Sequence, residues 1–285
     1  MPDHISLWGL LLALRGPLQL YANVRPVRTF PGTKTRLADT KPEDIDWVLV
    51  RENSEGEYAG QGGRSHLKQP WETATEVAIF TRVGIERIMR FAFETARSRP
   101  RKLLTVVTKS NSMRNGLVLW DEIAAEVAQD YPDVKWDKML VDAMTVRMVI
   151  KPESLDTIVG TNLHMDILSD LAAALAGSIG VAPSSNLDPT RQSPSIFEPV
   201  HGSAFDITGK GIANPVATIW SAAEMLKWIG EPGAADILMT ALEHVCKNGV
   251  LTPDLGGNAT TKGVAEAVSA EIEIVVAARN DLASS

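Results

Sequence analysis

The stretch KLLTVVTKSNSMRNGLVLWDEIAAEVAQDYPDVKWDKML, residues 102–140, decides the fold class. Residues 102–107 are a short apolar run rich in β-branched side chains, which reads as a strand. Residues 117–129 read as a helix, and residues 138–141 as a strand again. Strand, helix and strand in that order are the building unit of an α/β layered fold. The alternation extends outward. DWVLV (46–50) reads as a buried strand, and EVAIFT (76–81) as another. Residues 84–99 read as a helix with Ile85, Ile88, Met89, Ala92 and Ala96 on one face. Residues 157–160 form a further strand. Asn214-Pro215 starts a helix running to about Ile229, with proline at its first position, and Asn248-Gly249 closes another. Residues 60–71 are polar and glycine-rich and read as an excursion from the main body. There is no internal repeat or low-complexity tract.

The chain has 285 residues, 45% of them hydrophobic, which is enough to build one or two cores. The net charge of -7 argues against non-specific nucleic-acid binding, which needs a basic surface. A local arginine cluster still suits an anionic metabolite. The single cysteine, Cys246, excludes an intrachain disulfide and a cysteine metal cluster. The apolar run at residues 5–14 is too short to span a bilayer. It lacks the basic flank and cleavage site of a signal peptide, and it reads as a core helix. No membrane partner is expected.

Several residues carry chemistry. Asp166 and Asp170, in MDILSDLAAAL, stand at i and i+4 and share one helix face. Adjacent carboxylates repel, and a hard divalent ion such as Mg²⁺ or Mn²⁺ offsets that cost. A lone pair of this spacing is more often a solvated acidic face. Asp142, in VDAM, follows a strand, where ligands gather in parallel sheets. Arg15, Arg25 and Arg51 each border an apolar segment and suit a substrate with two carboxylates; spacing alone does not separate them from surface arginines. Lys109 directly follows the strand LLTVVT and is a candidate base. Tyr58, in RENSEGEYAG, is either a proton donor or a half-buried structural tyrosine. The segment EPVHGSAFDITGKGIAN (198–214) is a glycine-rich loop entering a helix, a ready phosphate site, although it lacks the G-x-G-x-x-G fingerprint.

Together these segments resemble the β-decarboxylating dehydrogenases, which act on isopropylmalate, isocitrate, D-malate and tartrate. The matching stretches are LLLALRGPLQLYANVRPVR, VLVRENSEGEYAG, VTKSN, VDAM, NLHMDILSDLA, FEPVHGSAFDITGKGIANP and LTPDLGGNATT, in the family's order from Leu10 to Thr261. The resemblance implies that Arg15, Arg25 and Arg51, with Asp142, bind the substrate. It implies that Asp142, Asp166 and Asp170 hold Mg²⁺ or Mn²⁺. Lys109 takes the hydroxyl proton during oxidation, and Tyr58 protonates the enolate left after loss of CO₂. Glu198, His201, Gly202, Ser203, Ala204, Asp206 and Asn214 fall where the family binds its cofactor. An acid at Asp206 favours NAD over NADP by repelling a 2′-phosphate. Lys109 and Asp142 are expected from the partner subunit, so a homodimer with shared active sites follows.

The pattern resembles the tartrate and D-malate branch most, and Trp8 is expected to leave room only for a small substrate substituent. The expected activity is NAD-linked oxidative decarboxylation of a small 2-hydroxy diacid. The alternative is a weakly active paralogue serving as a partner or regulatory subunit. The expected fold is a two-domain isopropylmalate-dehydrogenase-like α/β fold lacking the family's usual amino-terminal strand–turn–helix segment. Its domains are expected at 1–20 with 177–285 on the cofactor side, and at 21–176 for substrate, metal and dimerisation. Three positions depart from the family: His164 replaces an aromatic residue, Met165 a glycine and Phe205 a proline. Met165 is expected to crowd the cleft. A cytoplasmic location is expected, with the mitochondrion left open.

Overall fold

The chain alternates short apolar strands with amphipathic helices. The computed structural model describes residues 7–283. A π-helical turn at Leu7–Leu11 leads into α1 (Leu12–Arg15), followed by β1 (Ala22–Arg28), β2 (Asp46–Glu52), β3 (Gly56–Ser65) and β4 (Thr73–Ile79). Next come α2 (Arg82–Ser98), β5 (Leu103–Thr108), α3 (Gly116–Ala128), β6 (Lys135–Leu140) and α4 (Val141–Ile150). Then follow β7 (Thr157–Gly160), α5 (Asn162–Ala176), β8 (Pro183–Leu187), β9 (Ile196–Pro199), α6 (Val216–Trp228), α7 (Pro232–Lys247) and α8 (Thr261–Ala283).

Contacts divide the chain into two units. The first holds the described residues up to Val24, with Trp47–Ser169 and Asn186–Ser195. Its strands in the main sheet lie in the order β6-β5-β7-β2, all parallel. Such strands are covered on both faces and read as continuous apolar runs. Residues 104–107 and 157–160 are accordingly buried throughout. α2 starts at Thr81, whose hydroxyl caps the Gly84 amide at 3.0 Å. It buries Ile85, Ile88, Met89, Ala92, Phe93 and Ala96 against α3, β5 and β7, the face that the periodicity predicts. Ile88→Ala is expected to cost about 2–5 kcal/mol, because a close-packed site does not collapse around the cavity; the urea midpoint of the purified variant measures it.

The second unit holds Arg25–Asp46, Asp170–Ser185 and the described residues from Ile196 onward. β1, β8 and β9 neighbour one another in that order; β1 and β8 carry residues of both units. Phe30, Val216, Trp220, Leu242, Val245 and Val264 belong to its buried core. The Phe30 and Trp220 rings meet edge to face at 5.2 Å. Asn214 Oδ1 accepts the Val216 amide at 3.0 Å and thereby caps α6.

Two expectations change and one gains detail. Residues 60–71 are an excursion from the main sheet, and residues 60–65 of it belong to β3. β3 pairs antiparallel with β4 in a separate two-stranded sheet, with Ser65 opposite Thr73. β4, read as a buried strand, is almost wholly exposed, because its only neighbour in the sheet is that polar ribbon. The apolar run at residues 5–14 is helical from Leu7, but none of Leu7–Leu11 is buried, and Trp8, Leu10 and Leu14 are exposed. Its first two residues lie outside the described ones. That run is apolar all round, so its sequence does not specify a buried face.

Residues 25–46 cluster with the carboxy-terminal part, and the first stretch up to Val24 with Lys109 and Asp166. Periodicity marks where elements lie along the chain; which elements touch is settled by packing.

Candidate active site

Arg51 is the next-to-last residue of the apolar strand β2. In the parallel register of β2 and β7, Arg51 stands beside Gly160, two residues before α5 begins. The arginine side chain is therefore delivered to the first turns of α5. Arg51 is 3% exposed. Its Nε donates to Asn162 Oδ1 at 2.9 Å, and its Nη1 is ion-paired with Asp166 Oδ1. Asn162 is itself tied by its Nδ2 to the Glu55 carbonyl at 3.2 Å. The Tyr58 hydroxyl donates to the other Asp166 oxygen at 3.3 Å, and its ring lies 5.3 Å from the Arg51 guanidinium. Burial, followed by the Asp166 carboxylate, pushes the Tyr58 phenol above its ordinary range. The tyrosine therefore keeps its proton at neutral pH, as a proton donor must.

Arg15 and Arg25 are also buried, at 7% and 6% exposure. Arginine is rarely buried without an anionic partner. These are therefore not ordinary surface arginines. In the second unit, Arg25 lies 3.8 Å from Asp170. Asp166 and Asp170 stand one turn apart on α5, with side chains 40% and 56% exposed.

Lys109 and Asp142 follow the adjacent strands β5 and β6, whose last residues Thr108 and Leu140 are register partners. The strand ends early enough that Asp142 falls in the first turn of α4. Lys109 Nζ donates to Asp142 Oδ1 at 2.6 Å. That ammonium holds the Asp142 carboxyl below the usual carboxylate range. His164 is buried and its Nδ1 has no hydrogen-bond partner. Burial, then the Lys109 charge, lowers its pKa and leaves it neutral at pH 7. Met165 does not crowd a cleft. It is fully buried, and a Cβ added at Gly160 would lie 2.8 Å from its sulfur. Methionine occupies the space that the glycine leaves. Trp8 packs against Gly60, where an added Cβ would come within 2.8 Å of its ring.

The second unit contains a cavity of about 850 Å³. It is lined by residues 178–180, 201–204, 207–209, 211–214, 253–254 and Thr261. His201, Gly202, Ser203, Ala204 and Asn214 of the expected cofactor set are among them. Glu198, on β9, and the exposed Asp206 do not line it. Phe205 is 78% exposed. Gly180 is required where it stands: a Cβ there would lie 2.8 Å from Asp254 Oδ2 and 2.9 Å from the Asn214 Cβ. Asn162, Ser178, Gly180 and Asp254 were not singled out from sequence. Asn162 opens α5, and Asp254 sits in the matched segment LTPDLGG.

The residues fit the groups that the sequence implies. Asp166 and Asp170 offer only hard oxygen donors on one exposed helix face, as Mg²⁺ or Mn²⁺ requires. Among the described residues, no three acids, histidines or cysteines converge, so Asp142 does not join them within one chain. The cavity has the size of a small-molecule site, and open space surrounds Gly202, Gly209 and Gly211, so backbone can approach a nucleotide.

Parallel strands that end in a lysine, an acid and a buried arginine define an α/β enzyme acting on a small anionic substrate. The isocitrate/isopropylmalate dehydrogenase family matches residues 3–268, and the chain belongs to that family. It is 66% identical over 268 residues to a probable tartrate dehydrogenase/decarboxylase of Agrobacterium vitis, covering 94% of this chain and 74% of the relative. It is 50% identical over 273 residues to the decarboxylating D-malate dehydrogenase of Escherichia coli, covering 94% and 76%. The solved isocitrate dehydrogenase of Methylococcus capsulatus is 42% identical with a TM-score of 0.86, covering 92% of this chain and 76% of that one. Among the described residues, no helix is long and apolar enough to cross a membrane.

Proposed function

We propose that the chain oxidises and decarboxylates a small 2-hydroxy diacid of the D-malate or tartrate type, with NAD and Mg²⁺ or Mn²⁺. The observation that carries this reading is the Arg51–Asp166–Tyr58 cluster. A buried guanidinium and a protonated phenol flank one carboxylate of an acid pair suited to a divalent ion.

Arg15, Arg25 and Arg51 hold the two substrate carboxylates through forked hydrogen bonds. Lys109 removes the proton from the substrate hydroxyl, and Asp142 beside it stabilises the ammonium that results. Tyr58 returns a proton to the carbon that has lost CO₂. NAD, when bound along residues 201–214, supplies the hydride acceptor. A divalent ion, when held by Asp142, Asp166 and Asp170, supplies Lewis acidity that opposes negative charge on the substrate oxygens. The balance is one 2-hydroxy diacid and one NAD⁺ giving one 2-keto acid, CO₂ and NADH.

Lys109 and Asp142 act in the site of a second copy, so the working unit is a homodimer. Family membership supports this sharing, and the 2.6 Å pair of Lys109 with Asp142 keeps the two residues together. Trp8 limits the substituent that the diacid carries.

The test is NADH formation and CO₂ release by the purified chain with Mn²⁺ and either D-malate or tartrate. Turnover of at least one diacid, lost when the metal is chelated, is the expected result. No turnover of either, by a folded protein, overturns the reading.

A further inference from the structure

Asp254 lines the cavity without belonging to the glycine-rich loop. Its Oδ2 accepts the Ser178 hydroxyl at 2.5 Å and the Asn214 side-chain amide at 2.9 Å. Its Oδ1 accepts the Thr252 hydroxyl at 2.6 Å. Burial raises the carboxyl's pKa, but these donors outweigh it and hold the group ionised. The carboxylate thus joins three chain segments that are far apart in sequence. The Ser178 hydroxyl also accepts the Gly180 amide at 2.9 Å, and the other end of the Asn214 side chain caps α6. From a third direction, Arg36 Nη2 donates to the Asp254 carbonyl at 3.2 Å, and its Nε to the Gly177 carbonyl at 3.2 Å. Gly180 and Asn214 both line the cavity, and a side chain on Gly180 would collide with the carboxylate.

We propose that Asp254 is a positioning residue for the cofactor: its carboxylate holds Ser178, Gly180 and Asn214 at the spacing that NAD needs. It acts through those residues. Its carboxylate is occupied by Ser178, Asn214 and Thr252 of the protein itself, and a carboxylate repels phosphate, so it does not serve as a direct phosphate ligand. The proposal rests on the reading of this cavity as the NAD site.

Asp254→Asn keeps the shape and one acceptor but replaces an ionised acceptor by a neutral amide. Charged hydrogen bonds are about twice as strong as neutral ones, so NAD affinity is expected to fall roughly 10- to 100-fold. The experiment measures KM for NAD, KM for the diacid and kcat on the Mn²⁺-loaded enzyme, with NAD binding followed by titration calorimetry. The expected result is a raised KM and Kd for NAD, with kcat at saturating NAD and KM for the diacid within about twofold of wild type. Ser178→Ala removes one tie and is expected to raise the KM for NAD less. Added to Asp254→Asn its effect is expected to be less than additive, since both act on the Ser178–Asp254 bond. Should Asp254→Asn fail to fold, Ser178→Ala and Thr252→Val carry the test, and unchanged NAD affinity in both overturns the proposal. Wild-type enzyme that saturates with NAD, beside a folded Asp254→Asn with the same Kd, overturns this proposal alone. Wild-type enzyme that does not bind NAD overturns the cofactor reading, and this proposal with it.

Discussion

Asp166→Asn is expected to lower Mn²⁺-dependent NADH formation by roughly a thousandfold, about 4 kcal/mol of transition-state stabilisation. The same carboxylate serves three neighbours: the proposed divalent ion, the Arg51 guanidinium and the Tyr58 hydroxyl. An amide at this position keeps a carbonyl for Arg51 but loses the charge that the ion needs. The effect on folding is smaller and of mixed sign. Removing one of two acids at i and i+4 relieves about 0.2–0.5 kcal/mol of repulsion. Weakening the partner of a buried arginine costs about 1–3 kcal/mol. Asn162 still holds Arg51 through its Nε, which favours the lower end. Turnover against Mn²⁺ concentration, with a urea melt of the same preparation, separates the two. Full Mn²⁺-dependent activity would sink the assignment of Asp166 to the metal.

Lys109→Met is expected to reduce turnover by about 10²- to 10⁴-fold, the usual contribution of a positioned acid or base. Methionine matches the length of lysine and takes no proton. The informative experiment mixes this variant with Asp166→Asn. If each site takes Lys109 from one chain and Asp166 from the other, a heterodimer has one doubly defective site and one intact site. In an equal mixture that re-equilibrates, half the dimers are heterodimers, so about a quarter of wild-type activity returns. Verified heterodimers with no recovery would place the site within a single chain. This outcome does not depend on which diacid is used.

Much of the first unit was legible because its elements obey simple periods. The face of α2 follows from Ile85, Ile88, Met89, Ala92 and Ala96 recurring once per turn, and all five are fully buried. β5 and β7 follow from short β-branched runs bounded by breakers. The pairing of Asp166 with Asp170 on one face needs only a helix and a four-residue interval. The glycine-rich loop at residues 201–214 does line a cavity, as loops entering a helix tend to do. Other features carry no local signal. Asn162 has an unremarkable place at a helix start, yet the register of β2 against β7 sets it against Arg51. Asp254 reads as one residue in a turn, although the donors to its carboxylate lie up to 76 residues away.

The sequence by itself therefore determined the α/β alternation, the family and the chemical types present: arginines for carboxylates, acids for a hard ion, a lysine and a tyrosine for protons. These follow from residue type and near-neighbour spacing, which the chain carries in one dimension. Only the tertiary structure decided that the three arginines are buried, and that Met165 turns inward against Gly160. It also showed that Lys109 meets Asp142, that β3 pairs with β4 in an exposed two-stranded ribbon, and that residues 25–46 join the carboxy-terminal unit. The physical reason is common to all of these. Burial, ion pairing and strand pairing are properties of residues brought together across long sequence separations. A local pattern specifies which surface an element offers, and packing against the rest of the chain selects what covers it.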